Sequence, residues 1–310
     1  MRFVRFALML VVIAGSCAAS WGARVPTVDG EWWTIARDPD LGELTSAKQQ
    51  PVDFAIWRAG DGAWQVCSCI RGTKEAGKTR LLFRWEGASL EHRDWKAMGI
   101  FMRADTKLGE TAGGLQAPFV FKEANRFYMV YGCWEEICLA ESSDGKSFTR
   151  RVGSNGRAGM FGEGAGTNTR DPMVSRIGDV WHCYYAAYPD RHCAVFCRTS
   201  KDLVNWSDST KVATGGEAGD GPFSAECPFV VHLGDLFYLF RTQKYGVDAM
   251  TRVYISHDPM DFGVDAKADE HLVAKLAVAA PEVFEFENQW YIAALRPDLK
   301  GIQLARLKWE

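Results

Sequence analysis

Asp53, Asp171 and Glu226 are the residues whose types and positions could do chemistry. They stand in Gln50-Pro-Val-Asp-Phe-Ala55, Asn168-Thr-Arg-Asp-Pro-Met-Val174 and Glu226-Cys-Pro-Phe-Val-Val231. Each heads an apolar run that reads as a β-strand. Carboxylates brought close raise one another's pKa, so one can stay protonated beside an ionised neighbour. Cleavage of a glycosidic bond needs that pairing: an acid for the leaving oxygen, and a carboxylate that attacks or activates water. Taken singly, each is equally well a turn cap or half of an ion pair, as Asp171 would be with Arg170. The choice turns on whether the fold brings the three together.

The chain repeats itself, and the repeat does bring them together. Matched strand starts fall at Asp53, Ala117, Asp171, Cys227 and Ala280. Each is followed by a polar turn and an aromatic second strand, among them Phe127-Tyr-Met-Val-Tyr131 and Leu236-Phe-Tyr-Leu-Phe240. A third strand follows, and then a tag: Ser143-Asp-Gly-Lys-Ser-Phe148, Ser200-Lys-Asp-Leu-Val-Asn-Trp206, Ser256-His-Asp-Pro-Met-Asp-Phe262, and a looser Ser89-Leu-Glu-His-Arg-Asp-Trp95. Strand-rich units of this size with regular turns predict an all-β fold, a five-bladed β-propeller with blades starting near 53, 117, 171, 227 and 280. Residues 24–52 are left for the entry and for closing the ring. In a propeller the first strand of every blade lines the axis. The pairs Val52-Asp53, Gln116-Ala117, Arg170-Asp171, Glu226-Cys227 and Ala279-Ala280 therefore face one place. Three carboxylates and Arg170 converge at one mouth of the axial channel.

Composition agrees with an exported globular protein. The chain has 310 residues, a net charge of -3, and 47% hydrophobic and 24% charged residues. No basic run stands out, which argues against nucleic acid as a partner. Arg2 and Arg5 precede the apolar stretch Phe6–Ala14 and the small residues Gly15–Ser20. This pattern reads as a signal peptide over 1–20, too short to span a bilayer. It leaves one domain over 21–310 and a periplasmic or secreted location, with a lipid anchor at Cys17 as the second reading. Cys133 and Cys138 could face each other across a hairpin, while Cys67, Cys69, Cys183 and Cys227 read as buried thiols. No Cys or His spacing resembles a zinc site.

The motifs carry a resemblance. Arg170-Asp171-Pro172 and Glu226-Cys227-Pro228 resemble the R-D-P and E-C motifs of glycoside hydrolase family 32. The Ser200–Trp206 tag and the single short propeller resemble family 43 and its relatives. Both are families of five-bladed β-propeller glycosidases, and the resemblance covers nearly the whole chain after the leader. It implies that Asp53 is the nucleophile or general base, that Asp171 stabilises the transition state and tunes the acid, and that Glu226 is the general acid. The opening motif W-M-N-D-P-N-G of family 32 is absent and no β-sandwich follows the propeller, so a branch closer to family 43 is expected. Inverting and retaining chemistry both remain open.

Around this trio, Gln116 is placed to bind a sugar hydroxyl, and Arg71 and Arg241 to grip a hydroxyl or carboxylate. Asn168 and Glu163 lie on a glycine-rich rim, and Arg170 is counted with the substrate-binding residues. Trp57, Trp134 and Tyr245 are candidate stacking platforms, with core packing as the alternative. His182 reads as a core residue. No cofactor is required. Such propellers can hold a divalent cation in the axial channel, but no ligand cluster in the sequence asks for one. The expected activity is hydrolysis of a furanoside or a polysaccharide-derived oligosaccharide. Two rivals are a non-catalytic carbohydrate-binding propeller, and a glycoside phosphorylase or transferase with a cationic phosphate pocket.

Overall fold

The computed structural model describes residues 22–310. The signal-peptide reading falls on residues outside that range. Strand β1 (Pro26–Arg37) precedes the first blade. Blade one is β2 (Gln50–Arg58), β3 (Trp64–Arg71), β4 (Leu81–Gly87) and β5 (Lys96–Met102). Blade two is β6 (Gln116–Glu123), β7 (Arg126–Gly132) and β8 (Ile137–Ser142), edged by β9 (Thr149–Arg150) and β10 (Gly159–Phe161). Blade three is β11 (Arg170–Ile177), β12 (Val180–Ala187), β13 (Ala194–Ser200) and β14 (Thr210–Ala213). Blade four is β15 (Glu226–Leu233), β16 (Leu236–Lys244), β17 (Met250–Ser256) and β18 (Leu272–Leu276). Blade five is β19 (Glu282–Phe286), β20 (Gln289–Leu295) and β21 (Gly301–Trp309), completed by β1. The molecule is the expected five-bladed β-propeller.

One point goes beyond the sequence reading, and another gives form to the ring closure expected of residues 24–52. Blades one to four each have a fourth, outer strand that the repeat did not reveal. These strands are short or solvent-facing, and β5 exposes most of its residues, so they lack the apolar pattern that marks a strand. The ring is closed by β1, which pairs antiparallel with β21 from Pro26↔Trp309 to Arg37↔Gly301. Inner strands are near-continuous apolar runs because both faces are covered by neighbouring blades. Tyr238, Phe240 and Val253 of blade four pack with Ile292 and Leu307 of blade five, and Tyr184 and Val195 of blade three pack with Leu239 and Tyr254 of blade four.

The recurring tag is a turn. The serine that ends the third strand and the aspartate two residues on bond each other, and the aspartate accepts backbone N–H groups of the turn. The pairs are Ser142–Asp144 and Ser200–Asp202, and in blade four Ser256 Oγ accepts from Asp258 N. The matching residue in blade two is therefore Ser142, one position earlier than the sequence alignment set it. Trp95, Leu203 and Phe262 of these segments are buried against the blades.

The axis explains the strand starts. Asp53, Ala117, Asp171, Cys227 and Ala280 all have left-handed backbone, with φ of 41°, 34°, 58°, 46° and 49°. In blades one to four the ladder shifts register there, as at a β-bulge. In four blades the next residue is proline, which has no N–H to donate to the ladder and is tolerated at such a bulge. Below this ring the axis narrows to a cavity of about 30 Å³, lined by Pro118, Phe119, Met173, Phe229 and Glu282 among others.

All eight described cysteines are free thiols. No helix of the described residues is long and apolar enough to cross a membrane.

Candidate active site

The bulge aims side chains into the mouth of the ring from two tiers. Asp53, Asp171 and Cys227 hold the left-handed positions of blades one, three and four, and their ligating atoms lie within 4.8 Å of one another. Gln116, Arg170 and Glu226 come one residue earlier and line a pocket of about 430 Å³ above them. Glu226 is therefore not at the repeat position of the two aspartates; Cys227 is. The pocket is also lined by Arg71, Arg80, Asn168, Phe223, Gln243, Lys244, Tyr245 and Asp248.

Arg170 ties the acids together. It is 4% exposed, and its Nε lies 3.1 Å from Glu226 Oε1 and 3.8 Å from Asp171 Oδ2. Its other nitrogens donate to the carbonyls of Asn168 and Pro222, each at 2.9 Å. These bonds position Glu226 and Asp171, and Arg170 also lines the pocket as expected. Arg241 is a correction. It is fully buried and donates to the carbonyls of Ser224, Gly215 and Gly219. It staples the loop that carries Phe223 and cannot reach a ligand.

Asp53 accepts two hydrogen bonds on one oxygen. Tyr245 Oη and Cys227 Sγ each lie 3.2 Å from its Oδ1. Burial, and then the charges of Asp171 and Asp53, push the Cys227 thiol far up; burial and Asp53 do the same for the Tyr245 hydroxyl. Both thus stay protonated as donors. Among the described residues no donor is bonded to Oδ2. Asp171 accepts from the Cys227 backbone N–H at 3.0 Å on Oδ2, and its buried Oδ1 has no partner.

Burial pushes the Asp171 carboxyl up to about 7, helped by the negative charge of Asp53 and opposed by Arg170. Burial also raises Glu226, against the pull of Arg170. An unfolded aspartate titrates near about 3.9. Between those values the folded protein holds a proton that the unfolded chain has lost, so stability should fall as pH rises from about 4 to about 7 and then level off. Urea denaturation at pH 5 and pH 8 tests this. Asp171→Asn should reduce the difference between the two, and an unchanged difference would contradict it.

The remaining candidates divide. Gln116 is 1% exposed and its Oε1 has no partner; the buried Oδ1 of Asn168 has none either. Both face the pocket, as expected of hydroxyl-binding groups. Arg71 lines it too, with Nε and one terminal nitrogen on Gln50 Oε1. Glu163 is tied up by Tyr185, Arg198 and Ser209 and anchors the rim loop. Trp57 is core, bonded to the Gly145 carbonyl, and the Trp134 ring is covered by Lys78 and Arg80. Tyr245 reaches the site through its hydroxyl. His182 is buried and stacked on Tyr184.

Three features escaped the sequence reading. Phe223 is 64% exposed at the pocket rim, an open apolar face of the kind on which sugars stack; its signal was the loop Gly219–Ser224 just before the Glu226 strand. Arg80 stands just before β4 of blade one and bridges to Gly114 ahead of blade two; in the sequence it reads only as part of a strand. Glu282 is buried on the axis, where blades two to four have Phe119, Met173 and Phe229, and its Oε2 accepts from the Ile56 N–H at 2.9 Å. A glutamate in an apolar column of the repeat was visible in the sequence.

The donor set at the ring suits a hard divalent cation poorly. Calcium takes six to eight oxygens; here there are two carboxylates and a thiol, and one carboxylate oxygen already accepts from Tyr245 and Cys227.

The fold defines a class: the five-bladed β-propeller shared by glycoside hydrolases of families 43, 32 and 62. Comparison with protein-family models gives no match, and comparison with curated proteins gives none. Among solved structures the chain is similar to a thermostable family-43 glycoside hydrolase, with 14% identity, a TM-score of 0.62, and 85% of this chain and 90% of that one covered. It is similar to a family-62 α-L-arabinofuranosidase from Coprinopsis cinerea, with 13% identity, a TM-score of 0.60, and 89% and 96% covered. It is also similar to a family-32 β-fructofuranosidase from Bombyx mori, with 15% identity, a TM-score of 0.59, and 89% and 62% covered. At these identities the likeness is one of fold.

Proposed function

We propose that this protein is an exported glycoside hydrolase, acting in the periplasm or outside the cell, with Asp53, Asp171 and Glu226 as its catalytic residues. One observation carries the reading: two aspartates and a glutamate from three blades gather at one end of the axis, Asp171 and Glu226 bridged by a buried arginine, at a pocket large enough for a sugar. Neutral partners would have served a purely structural contact with less desolvation.

In this reading Glu226 is the acid. Burial favours its protonated form, and it gives that proton to the leaving oxygen. The carboxylate left behind is met at once by the Arg170 guanidinium. Asp53 is the base or nucleophile. Tyr245 and Cys227 fix its Oδ1, so Oδ2 is the oxygen offered to water or to the anomeric carbon. Asp171 presents Oδ1 to the positive charge that develops on the ring. Gln116 Oε1 and Asn168 Oδ1 accept from sugar hydroxyls, and Phe223 supports a ring at the rim. No step needs a metal. A furanoside or an oligosaccharide cut from a polysaccharide is the substrate class suggested by similar folds.

A panel of plant, fungal and bacterial glycans, assayed for new reducing ends and by chromatography, tests the reading. Release in phosphate-free buffer is expected. Release that requires phosphate would make the protein a phosphorylase, and binding of glycans with no release would make it a binding module.

A further inference from the structure

Resting on the proposed hydrolase, the inference concerns which sugars enter the pocket. The site holds more positive charge than its acid–base chemistry uses. Arg170 answers Glu226 and Asp171, but Arg71 and Arg80 line the same pocket and neither has a carboxylate within 4 Å among the described residues. Arg71 is held by a neutral group, the Gln50 carboxamide, at 2.8 and 3.0 Å. Arg80 is held by the Trp134 ring, 5.3 Å below its guanidinium. Neither is ion-paired, although the Arg80 charge reaches Glu226 and its side chain also meets Cys69, and these contacts fix their geometry. Lys244 adds a third cation at the rim.

Three acids share the pocket, Asp53, Glu226 and Asp248, but none makes an ion pair with Arg71 or Arg80 among the described residues. Asp53 accepts from Tyr245 and Cys227, and Glu226 is bonded to Arg170 while also feeling the Arg80 charge. Beside the two arginines sits Gln116, almost wholly buried, with an unpartnered Oε1 facing the same space. A guanidinium fork fixed by neutral partners is suited to bind a planar or tetrahedral oxyanion through paired N–H donors. Leaving such charges partly buried and unmatched is costly unless a ligand matches them.

We propose that the pocket selects acidic sugars: a sugar bearing a carboxylate or a sulfate ester whose anionic group is held by Arg71 and Arg80, with a neighbouring hydroxyl donated to Gln116 Oε1. Inorganic phosphate shares the oxyanion chemistry but suits the site less. As an attacking group it would have to approach Asp53, whose negative charge repels it and whose role as a base it would make redundant.

The test compares oligosaccharides rich in uronic acid, sulfated oligosaccharides, and neutral arabino-, xylo- and fructo-oligosaccharides. Wild-type kcat/KM is expected to favour one acidic class by about tenfold or more, and to fall with added salt. The acidic class preferred tells carboxylate from sulfate. Arg71→Gln and Arg80→Gln should each raise KM on that class by about tenfold or more, with a smaller change in kcat. Preference for neutral glycans would overturn the inference and leave the hydrolase standing. A requirement for phosphate would overturn it in favour of a phosphate site. If nothing is cleaved, calorimetry of the wild type with the same oligosaccharides decides. Arginine-dependent binding of acidic glycans would uphold the subsite and sink the hydrolase, and absence of such binding would sink the subsite.

Discussion

Glu226→Gln should lower kcat/KM by at least ~10²-fold on natural glycosides, the scale expected for loss of a general acid. The amide keeps the size of the side chain and can still accept from Arg170 Nε, now 3.1 Å away from the Glu226 carboxylate, so the pocket keeps its shape. What it loses is the proton. The deficit should therefore depend on the leaving group. Aryl glycosides that release a nitrophenolate need little protonation and should recover much of the lost rate, while alkyl and sugar leaving groups should not. A variant as active as the wild type on natural glycosides would remove Glu226 from the role of acid. A uniform loss on every leaving group would point to binding.

Arg170→Met should destabilise the fold by roughly 3–5 kcal/mol at pH 8, the range for removing one partner of a buried ion pair. The arginine is 4% exposed, so solvent screens it little, and its removal strips Glu226 and Asp171 of their shared cation and the Asn168 and Pro222 carbonyls of their donor. The loss should be smaller at pH 5. Both carboxyls are raised already, and without Arg170 they rise further, so protonation relieves the uncompensated charge. Urea denaturation at the two pH values measures it. An equal loss at both would mean that the arginine acts by packing and backbone bonds alone.

Much of this was legible because a propeller repeats. The left-handed position recurs as Asp53, Ala117, Asp171, Cys227 and Ala280, and proline follows in four of five cases, so simple alignment found the axial residues. The outer strands were not legible, because exposed residues such as those of β5 leave no periodic trace. Within the site, Asp53, Asp171, Glu226 and Gln116 sit where the repeat puts them, and Asn168 lines the pocket from the rim loop. Arg241 did not, since a charged residue at a strand end reads the same whether it meets a ligand or a carbonyl. Arg80 comes from the β3–β4 connection inside blade one and Phe223 from the connection between blades three and four, and connections follow no repeat. Their contribution depends on how loops from different blades meet.

The pairing of β1 with β21 has a consequence for biogenesis. Pro26 meets Trp309, and Val25 and Glu310 exchange backbone hydrogen bonds, so the fifth blade joins strands that lie far apart in the sequence. Four blades can form as the chain emerges, but the fifth sheet cannot be completed until β21 (Gly301–Trp309) has been delivered. Until then β1 waits without its partner, and the edge of the fourth blade has no neighbour. The clasp makes assembly of the ring a late, all-or-none event. It also means that a chain stalled short of its last strand displays an unpaired sheet edge, the feature by which quality-control proteases and chaperones would tell it from a finished molecule.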